Sequence, residues 1–386
     1  MLTNLYRIAL FFALAGFTGI SVAQPVIIPG NVNLPTDSSF NYSLITALNG
    51  FLNQKEKPNR ENTFVLKDHL VETSALLDEL KGMDQSYKGH DSYKSHLTNL
   101  IKVDSNNFMI QLSYVGIYES TPVLRASFTF MAKKVQNKFY FYSPLKHNTK
   151  TWKSRRISNI TFHFKDTIEL AQAKLFLRTV NSFDQKLQTP ITWFDFYFCD
   201  NFPEALRILG VDYKADYSGI KYDDLSAHEG NANVEINGGY NDTLRFDPHD
   251  LWHDRLHRIL PAGVINRAVD EGCAYLYGGS WGYNWKQVLA KFKKYVEANP
   301  NADWLKLYTE NANFEGGDKP MKVPYVLNAL IVQKIEAEKG FPHVIQLLNS
   351  GPREKGDDNY FKELEKITGI SRDNYNSFIN ELIKTY

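Results

Sequence analysis

Two histidines four residues apart carry the clearest chemical signal in this sequence. His249 and His253 lie in the segment Asp-Pro-His-Asp-Leu-Trp-His, which spans residues 247–253. On a helix this spacing projects both imidazoles from one face, about one turn apart. Two imidazoles placed in this way can share a metal ion, and zinc is the natural ion for such nitrogen ligands. The segment therefore predicts a metal-binding helix.

A catalytic zinc site needs a third protein ligand, an open position for water and a nearby base. Glu271 lies on the next predicted helix and can supply the third ligand as a carboxylate oxygen. Asp250 follows His249 directly and offers a carboxylate that can accept a proton from water. The residues therefore predict a zinc site at His249, His253 and Glu271, with Asp250 as the general base.

The two segments together resemble the gluzincin clan of zinc metallopeptidases, in particular the peptidase MA-like group. That group carries H-E-x-x-H on one helix and E-G-x-A on the next, whereas this chain reads H-D-x-x-H from His249 and E-G-C-A from Glu271. The resemblance covers about residues 157–386. It implies one Zn²⁺ per chain and hydrolysis of peptide bonds in a peptide or protein substrate. It also implies an edge strand at residues 233–236, which could pair with an extended peptide.

The chain departs from this group at Asp250, which stands where the group has a glutamate. Aspartate has the same chemistry with a shorter reach, and misplacing a catalytic group by ~1 Å can cost ~10²-fold in rate. General base catalysis as a whole supplies ~10² to 10⁴-fold. Two hypotheses therefore stay open: an exported zinc-dependent peptidase, and a catalytically inactive peptidase-like protein that binds a peptide or a cell-envelope component.

Four further residues are candidates for supporting roles around the metal. The resemblance implies that a tyrosine stabilises the oxyanion of the tetrahedral intermediate, and Tyr325 is the residue predicted to do so. Asp270 and Asp254 are candidates to orient the histidine ligands through their second ring nitrogens. His257 lies a further turn beyond His253, so we predict a surface or supporting role for it instead of a place among the ligands.

These residues need a folded scaffold, and the composition supplies one. The chain has 386 residues, of which 43% are hydrophobic and 23% charged, which excludes a disordered or collagen-like protein. A formal charge of +1 gives no whole-chain reason to bind nucleic acid, so we expect no nucleic-acid partner. The two cysteines exclude a disulfide framework. Whether Cys199 and Cys273 pair with each other stays open, as does the oligomeric state.

The pattern of apolar residues predicts an α+β protein with two domains. Residues 36–148 show helical periodicity followed by a meander of strands, which predicts a small domain of helices and a curved sheet. This domain loosely resembles the nuclear transport factor 2 fold. The basic stretch 146–156 is predicted to be a linker. Residues 157–386 then predict a small sheet followed mostly by helices, the gluzincin-like domain.

The first 23 residues are typical of a secretory signal peptide. Arg7 precedes an apolar run over residues 8–22, and the small residues Ser21 and Ala23 provide a cleavage site. We therefore expect export to the periplasm or the extracellular space, with residues 24–35 as an extended lead-in. No later apolar stretch approaches the roughly 20 residues that a membrane-spanning helix needs, so the mature chain is predicted to lack a transmembrane segment.

Overall fold

The structure of the protein is a computed structural model. It describes residues 25–86, 92–190, 192–215, 217, 224–238 and 246–386. The predicted signal peptide lies outside these residues. Within the described part of the chain, every helix is too short or too polar to cross a bilayer.

Helices and strands both contribute to the fold, and the predicted α+β class is confirmed. The helices are α1 Ser38–Asn53, α2 Leu70–Leu80, α3 Leu145–Asn148, α4 Leu170–Leu187, α5 Phe202–Leu209, α6 Pro248–Leu256, α7 Arg267–Tyr277, α8 Trp285–Ala298, α9 Trp304–Thr309, α10 Val323–Lys339, α11 Phe341–Leu348, α12 Asp358–Thr368 and α13 Tyr375–Thr385. The strands are β1 Lys94–Lys102, β2 Asn107–Tyr118, β3 Thr121–Val135, β4 Lys138–Tyr142, β5 Lys153–Ile157, β6 Ile160–Phe164, β7 Trp193–Phe198, β8 Val211–Lys214, β9 Asp224–Glu229, β10 Ala232–Asn237, β11 Asn313–Glu315 and β12 Met321–Lys322.

One compact unit comprises the described residues up to Pro144 together with Gly210–Ala215. Its antiparallel sheet has the strand order β1-β2-β3-β4, and β8 pairs with β3. Asp37 caps α1 because its side chain accepts hydrogen bonds from two amides of the first turn. The apolar face of α1 is buried and contacts β4. The predicted boundaries did not anticipate β8, which returns to this sheet from far along the chain.

The second unit comprises Leu145–Leu209 and the described residues after Ala215. Its main sheet has the order β5-β6-β7-β10-β9, with parallel pairing between β6 and β7 and between β7 and β10. The strands β5 and β9 are antiparallel to their neighbours and form the two edges. The predicted edge strand at residues 233–236 is therefore wrong, since it lies inside β10 and is covered by β9. The sequence of β9 is largely polar, so its apolar pattern does not indicate a strand.

The predicted linker at residues 146–156 is also wrong. The chain forms the short helix α3 here and then β5, which pairs antiparallel with β6. The side chains of β5 from Lys153 to Arg156 are exposed. Charged side chains are typical of edge strands because they oppose pairing with other chains. The same charges made the segment look like a solvated connection in the sequence.

The helices α4, α6, α7 and α10 form the part of the core that supports the two motif helices. Trp252 of α6 is fully buried, and its ring lies 5.5 Å from the ring of Phe183 on α4 and 4.8 Å from the ring of Tyr277 on α7. Buried Arg255 adds an ion pair with Asp184 of α4. These contacts fix the position of α6 and therefore of the two histidines that it carries.

Gly272 allows α7 and α10 to approach each other closely, and this contact gives a testable prediction. A Cβ atom at Gly272 would lie 2.6 Å from Cβ of Asn328 and 2.8 Å from the amide nitrogen of Ala329. Alanine stabilises a helix interior by about 0.8–1.0 kcal/mol relative to glycine, whereas overpacking costs about 1–3 kcal/mol. Because the clash involves backbone, we expect Gly272→Ala to lower the free energy of unfolding by about 1–2 kcal/mol in urea denaturation.

The matched control for this prediction is Gly263→Ala. Gly263 is exposed, and no atom lies within 4 Å of the position that its Cβ would take. We expect this variant to unfold within about 0.5 kcal/mol of the parent. Equal stability of the two variants would contradict the close approach of α7 and α10.

Candidate metal centre

The helix α6 carries both histidines of the first motif. Asp247 caps it, with its side chain accepting a hydrogen bond of 2.9 Å from the amide of His249. Pro248 occupies the first helical position, where its missing N–H costs nothing. The helix ends at Leu256, earlier than the predicted 248–260 range, and His257 is its C-cap. His249 and His253 therefore lie within one short, well-capped helix.

The structure brings the three predicted ligands together. Nε2 of His249 lies 3.2 Å from Nε2 of His253 and 3.4 Å from Oε2 of Glu271. One ligand atom from each residue lies within 4.8 Å of the others, so the group could hold a metal ion. At zinc–nitrogen distances of about 2.0–2.1 Å, two nitrogens 3.2 Å apart subtend an angle of about 100° at the ion, close to the tetrahedral value.

Both histidines are held through their other ring nitrogens. Nδ1 of His249 lies 2.8 Å from the carbonyl oxygen of Gly279, which can only accept a hydrogen bond. Nδ1 of His253 lies 2.9 Å from each carboxylate oxygen of Asp270, which also accepts from the indole N–H of Trp252 at 3.2 Å. Each Nδ1 therefore donates, which leaves each Nε2 as the atom that can bind a metal once it carries no proton. Asp270 thus orients His253, as predicted.

The predicted orienting role of Asp254 is wrong. Its carboxylate pairs with the guanidinium of Arg258 at 2.9 Å, one turn along the chain. The sequence placed Asp254 next to His253, but neighbouring residues on a helix point about 100° apart. Asp254 therefore shares its side of the helix with Asp250 and not with the histidines.

Asp270 provides a prediction about metal affinity. Carboxylates that hold a metal-binding histidine are worth about 10–100-fold in metal affinity. Asparagine keeps the shape of Asp270 but loses the charge that favours the donor tautomer of His253. We therefore expect Asp270→Asn to weaken Zn²⁺ binding at least about 10-fold, measured by competition with a chromophoric chelator.

Asp254→Asn is the matched control for this experiment. It removes a neighbouring carboxylate that pairs with Arg258 and does not contact the ligands. We expect the zinc affinity of this variant to stay within about twofold of the parent, since the side chain lies outside the ligand group. A similar loss in both variants would show that general negative charge matters and not the bond to His253.

Charges inside the group favour a bound cation. Burial opposes protonation of His249, but its hydrogen bonds with Glu271 and the Gly279 carbonyl, together with the negative charges of Glu271 and Asp250, raise its pKa to about 9. Burial disfavours the charged form of Glu271, but the hydrogen bond with His249 and the positive charges of the two histidines and Arg267 lower its pKa. An imidazolium and a carboxylate therefore face each other, at the place where a metal ion can replace the proton.

Asp250 follows His249 directly on α6. Its side chain is exposed and is not part of the group that could share one ion. It lines a small cavity, here called the acidic pocket, whose residues are Asp224, Ser226, Glu235, Asn237, Asp247, Asp250, Leu251 and Asp254. The link between Asp250 and the ligands is electrostatic, through its effect on the pKa of His249.

A larger pocket opens beside the ligands. This metal-side pocket has a volume of about 290 Å³ and is lined by His253, His257, Ala262, Ile265, Arg267, Asp270 and Glu271. His257 is exposed at its wall and does not belong to the ligand group, in agreement with the sequence prediction. The pocket gives a substrate direct access to two of the three ligands.

Tyr325 lies next to the ligand group on α10. Burial and the charge of Glu271 raise the pKa of its phenol, while Arg267, with which it also interacts, lowers it. Its ring packs edge-on against Tyr275 of α7, with 5.6 Å between centroids. The structure therefore brings the predicted oxyanion-stabilising residue close to Glu271 and keeps the phenol protonated at neutral pH.

Two features of the site were not found in the sequence. The carbonyl of Gly279 holds His249, and Gly278 lets this turn approach α6, because a Cβ there would lie 2.6 Å from the backbone of Pro248 and His249. Arg267 lies four residues before Glu271 and pairs with it at 3.5 Å. The sequence signals for these two features are the Gly-Gly pair after α7 and the i, i+4 spacing of the arginine and the glutamate.

The two cysteines take no part in the site. Cys199 and Cys273 are both free and buried, and burial raises the pKa of each thiol above its usual value. A buried, protonated thiol is neither a good nucleophile nor a good metal ligand. The group of possible metal ligands among the described residues contains neither of them.

No family model matches the chain, and no curated protein matches it at a significant level. The gluzincin resemblance therefore stays a prediction from the two sequence motifs.

Proposed function

We propose that the protein is an exported zinc-dependent peptidase of the gluzincin type. The proposal depends on the arrangement of His249 and His253, whose Nε2 atoms lie 3.2 Å apart. Their Nδ1 atoms are held by the carbonyl of Gly279 and by the carboxylate of Asp270. With Glu271 the two histidines form a three-ligand set of the kind found in catalytic zinc sites. Zinc bound there would polarise the scissile carbonyl and lower the pKa of water to near neutrality.

The remaining chemistry is assigned to side chains of the chain itself. Asp250 accepts the proton of the attacking water and delivers it to the leaving amine. Tyr325 donates a hydrogen bond to the carbonyl oxygen as that oxygen gains negative charge. The metal-side pocket holds the part of the peptide or protein substrate that flanks the scissile bond. The first compact unit is proposed to position that substrate or to bind a partner.

One observation favours a second candidate, a catalytically inactive protein that binds a peptide or a cell-envelope component. Asp250 is exposed and lines the acidic pocket, whereas the ligands His253 and Glu271 line the metal-side pocket. A general base must come within hydrogen-bond reach of the water that it activates. This second candidate predicts that the protein binds zinc but does not hydrolyse peptides.

A peptide-cleavage assay separates the two candidates. The purified full mature chain, loaded with one equivalent of Zn²⁺, is incubated with a quenched fluorescent peptide library. We expect cleavage that 1,10-phenanthroline abolishes and added Zn²⁺ restores. Bound zinc without cleavage would support the binding protein, and failure to bind zinc would overturn both candidates.

A further inference from the structure

Arg267 projects into the metal-side pocket next to a proposed ligand. It is the first residue of α7, and its side chain is 79% exposed. Its Nε atom lies 3.5 Å from Oε1 of Glu271, while Oε2 of Glu271 faces His249. The guanidinium also interacts with the phenol of Tyr325, so it lies at the rim of the ligand group with its remaining N–H donors directed to other partners.

The stability of α7 does not explain an arginine at this position. The N-terminus of a helix carries a partial positive charge, so a cation in the first turn is unfavourable. The ion pair with Glu271 is largely exposed on the arginine side, and exposed pairs of this kind add little to stability. The cap of α7 is instead the side chain of Asn266, which accepts a hydrogen bond from the amide of Val269. Arg267 is thus placed where it attracts anions and not where it stabilises the helix.

The charge balance of the metal-side pocket favours a negative group. A divalent ion in the ligand group would offset the two carboxylates of Glu271 and Asp270, which line this pocket. The guanidinium of Arg267 then carries the uncompensated charge, and the N-terminus of α7 adds to it. Ala262 and Ile265 supply an apolar surface beside the guanidinium. The pocket therefore combines one cationic group with a small hydrophobic wall.

We propose that Arg267 is a specificity-determining residue that binds a carboxylate of the substrate within the metal-side pocket. The inference rests on the proposed function, since it assumes a metal ion on His249, His253 and Glu271. A planar guanidinium matches a carboxylate with two parallel hydrogen bonds. The carboxylate belongs to the residue whose side chain contacts Ala262 and Ile265. It is either the α-carboxylate of a C-terminal residue or the side chain of an acidic residue.

Small product-like probes test this subsite by binding instead of turnover. Calorimetric titration of the zinc-loaded full chain compares N-acetyl-leucine with N-acetyl-leucinamide, which lacks the carboxylate. We expect the acid to bind about 10–100-fold more tightly, the range for hydrogen bonds to charged groups. N-acetyl-glutamic acid α-amide offers only a side-chain carboxylate, so its affinity distinguishes an acidic side chain from a free C-terminus.

Two variants assign the effect to Arg267. In Arg267→Met we expect the difference in affinity between the acid and the amide to fall below about twofold, while zinc content stays unchanged. Arg267→Lys should retain part of this difference, because lysine keeps the charge but cannot make two parallel hydrogen bonds to a carboxylate. Arg178→Met, which removes an exposed arginine of α4, should bind both probes like the parent.

Several outcomes would overturn the carboxylate subsite. One is equal binding of acid and amide by the zinc-loaded parent, or no binding of any probe. Another is a difference that persists in Arg267→Met, because the metal would then be binding the carboxylate. Each of these leaves the zinc site intact, whereas a chain that fails to bind zinc overturns the proposed function together with this inference.

Discussion

Replacing His253 by alanine is expected to weaken zinc binding by about 10²–10³-fold. Apparent zinc-binding free energies of about 10–16 kcal/mol in four-ligand sites correspond to roughly 3 kcal/mol for each ligand, or about 10²-fold or more in affinity. Nε2 of His253 lies 3.2 Å from Nε2 of His249 in the three-residue ligand group. Loss of the His253 imidazole therefore leaves only two of the three ligands. Mass spectrometry of the purified protein should find about one zinc per chain in the parent and little in the variant.

The matched control is His257→Ala. His257 is the C-cap of the same helix, is exposed, and lines the metal-side pocket without belonging to the ligand group. We expect its zinc affinity to stay within about threefold of the parent. An equal loss of zinc affinity in His253→Ala and His257→Ala would contradict the assignment of His253, and not His257, to the ligand group.

Thermal unfolding provides an independent measurement of zinc binding by the same variants. A ligand that binds only the folded state stabilises it by about 2.7 kcal/mol at 100 times its dissociation constant. Added Zn²⁺ should therefore raise the unfolding temperature of the parent and of His257→Ala but not that of His253→Ala. A metal that bound elsewhere on the chain would raise all three.

The ligand set could be predicted from the sequence because it depends on local geometry. A spacing of four residues fixes the relation of His249 and His253 once the segment is a helix, and the cap at Asp247 with Pro248 makes that helix local. Glu271 required only that the next helix pack against the first. Gly278, at the end of α7, lets the two helices come close, since a Cβ there would meet the backbone of Pro248 and His249.

Other parts of the site depend on contacts that leave a weaker signal in a sequence. The carbonyl of Gly279 holds His249, but every residue has a carbonyl, and its position follows from the turn after α7. The edge strand predicted at residues 233–236 lies one strand too far inward, because β9, which covers it, is largely polar and gives little strand signal in the sequence. The charges of the basic segment before residue 157 predict a linker although the segment forms an edge strand, because edge strands and linkers are both rich in charge. In all three cases the structure depends on contacts between residues that are distant in the sequence.

The reach of the Asp250 carboxylate decides whether the centre is an active site. A residue next to a metal-binding histidine points about 100° away from it, so its side chain must reach back toward the ion to act as a base. Asp250 is exposed and shares the acidic pocket with Asp254 and Glu235, among other residues. A glutamate at this position would extend the carboxylate by one methylene, roughly the ~1 Å that separates effective from poor placement.

We therefore expect Asp250→Glu to raise kcat/KM for peptide hydrolysis by up to about 10²-fold. Asp250→Asn should lower it by about 10²–10⁴-fold at unchanged zinc content, because the amide cannot accept the proton. Asp254→Asn removes a charge from the same acidic pocket and should leave the rate within about threefold of the parent. Undiminished turnover in Asp250→Asn would remove Asp250 from the mechanism. An inactive parent that becomes active as Asp250→Glu would instead identify a peptidase site disabled by one missing methylene, and the natural protein would then act by binding.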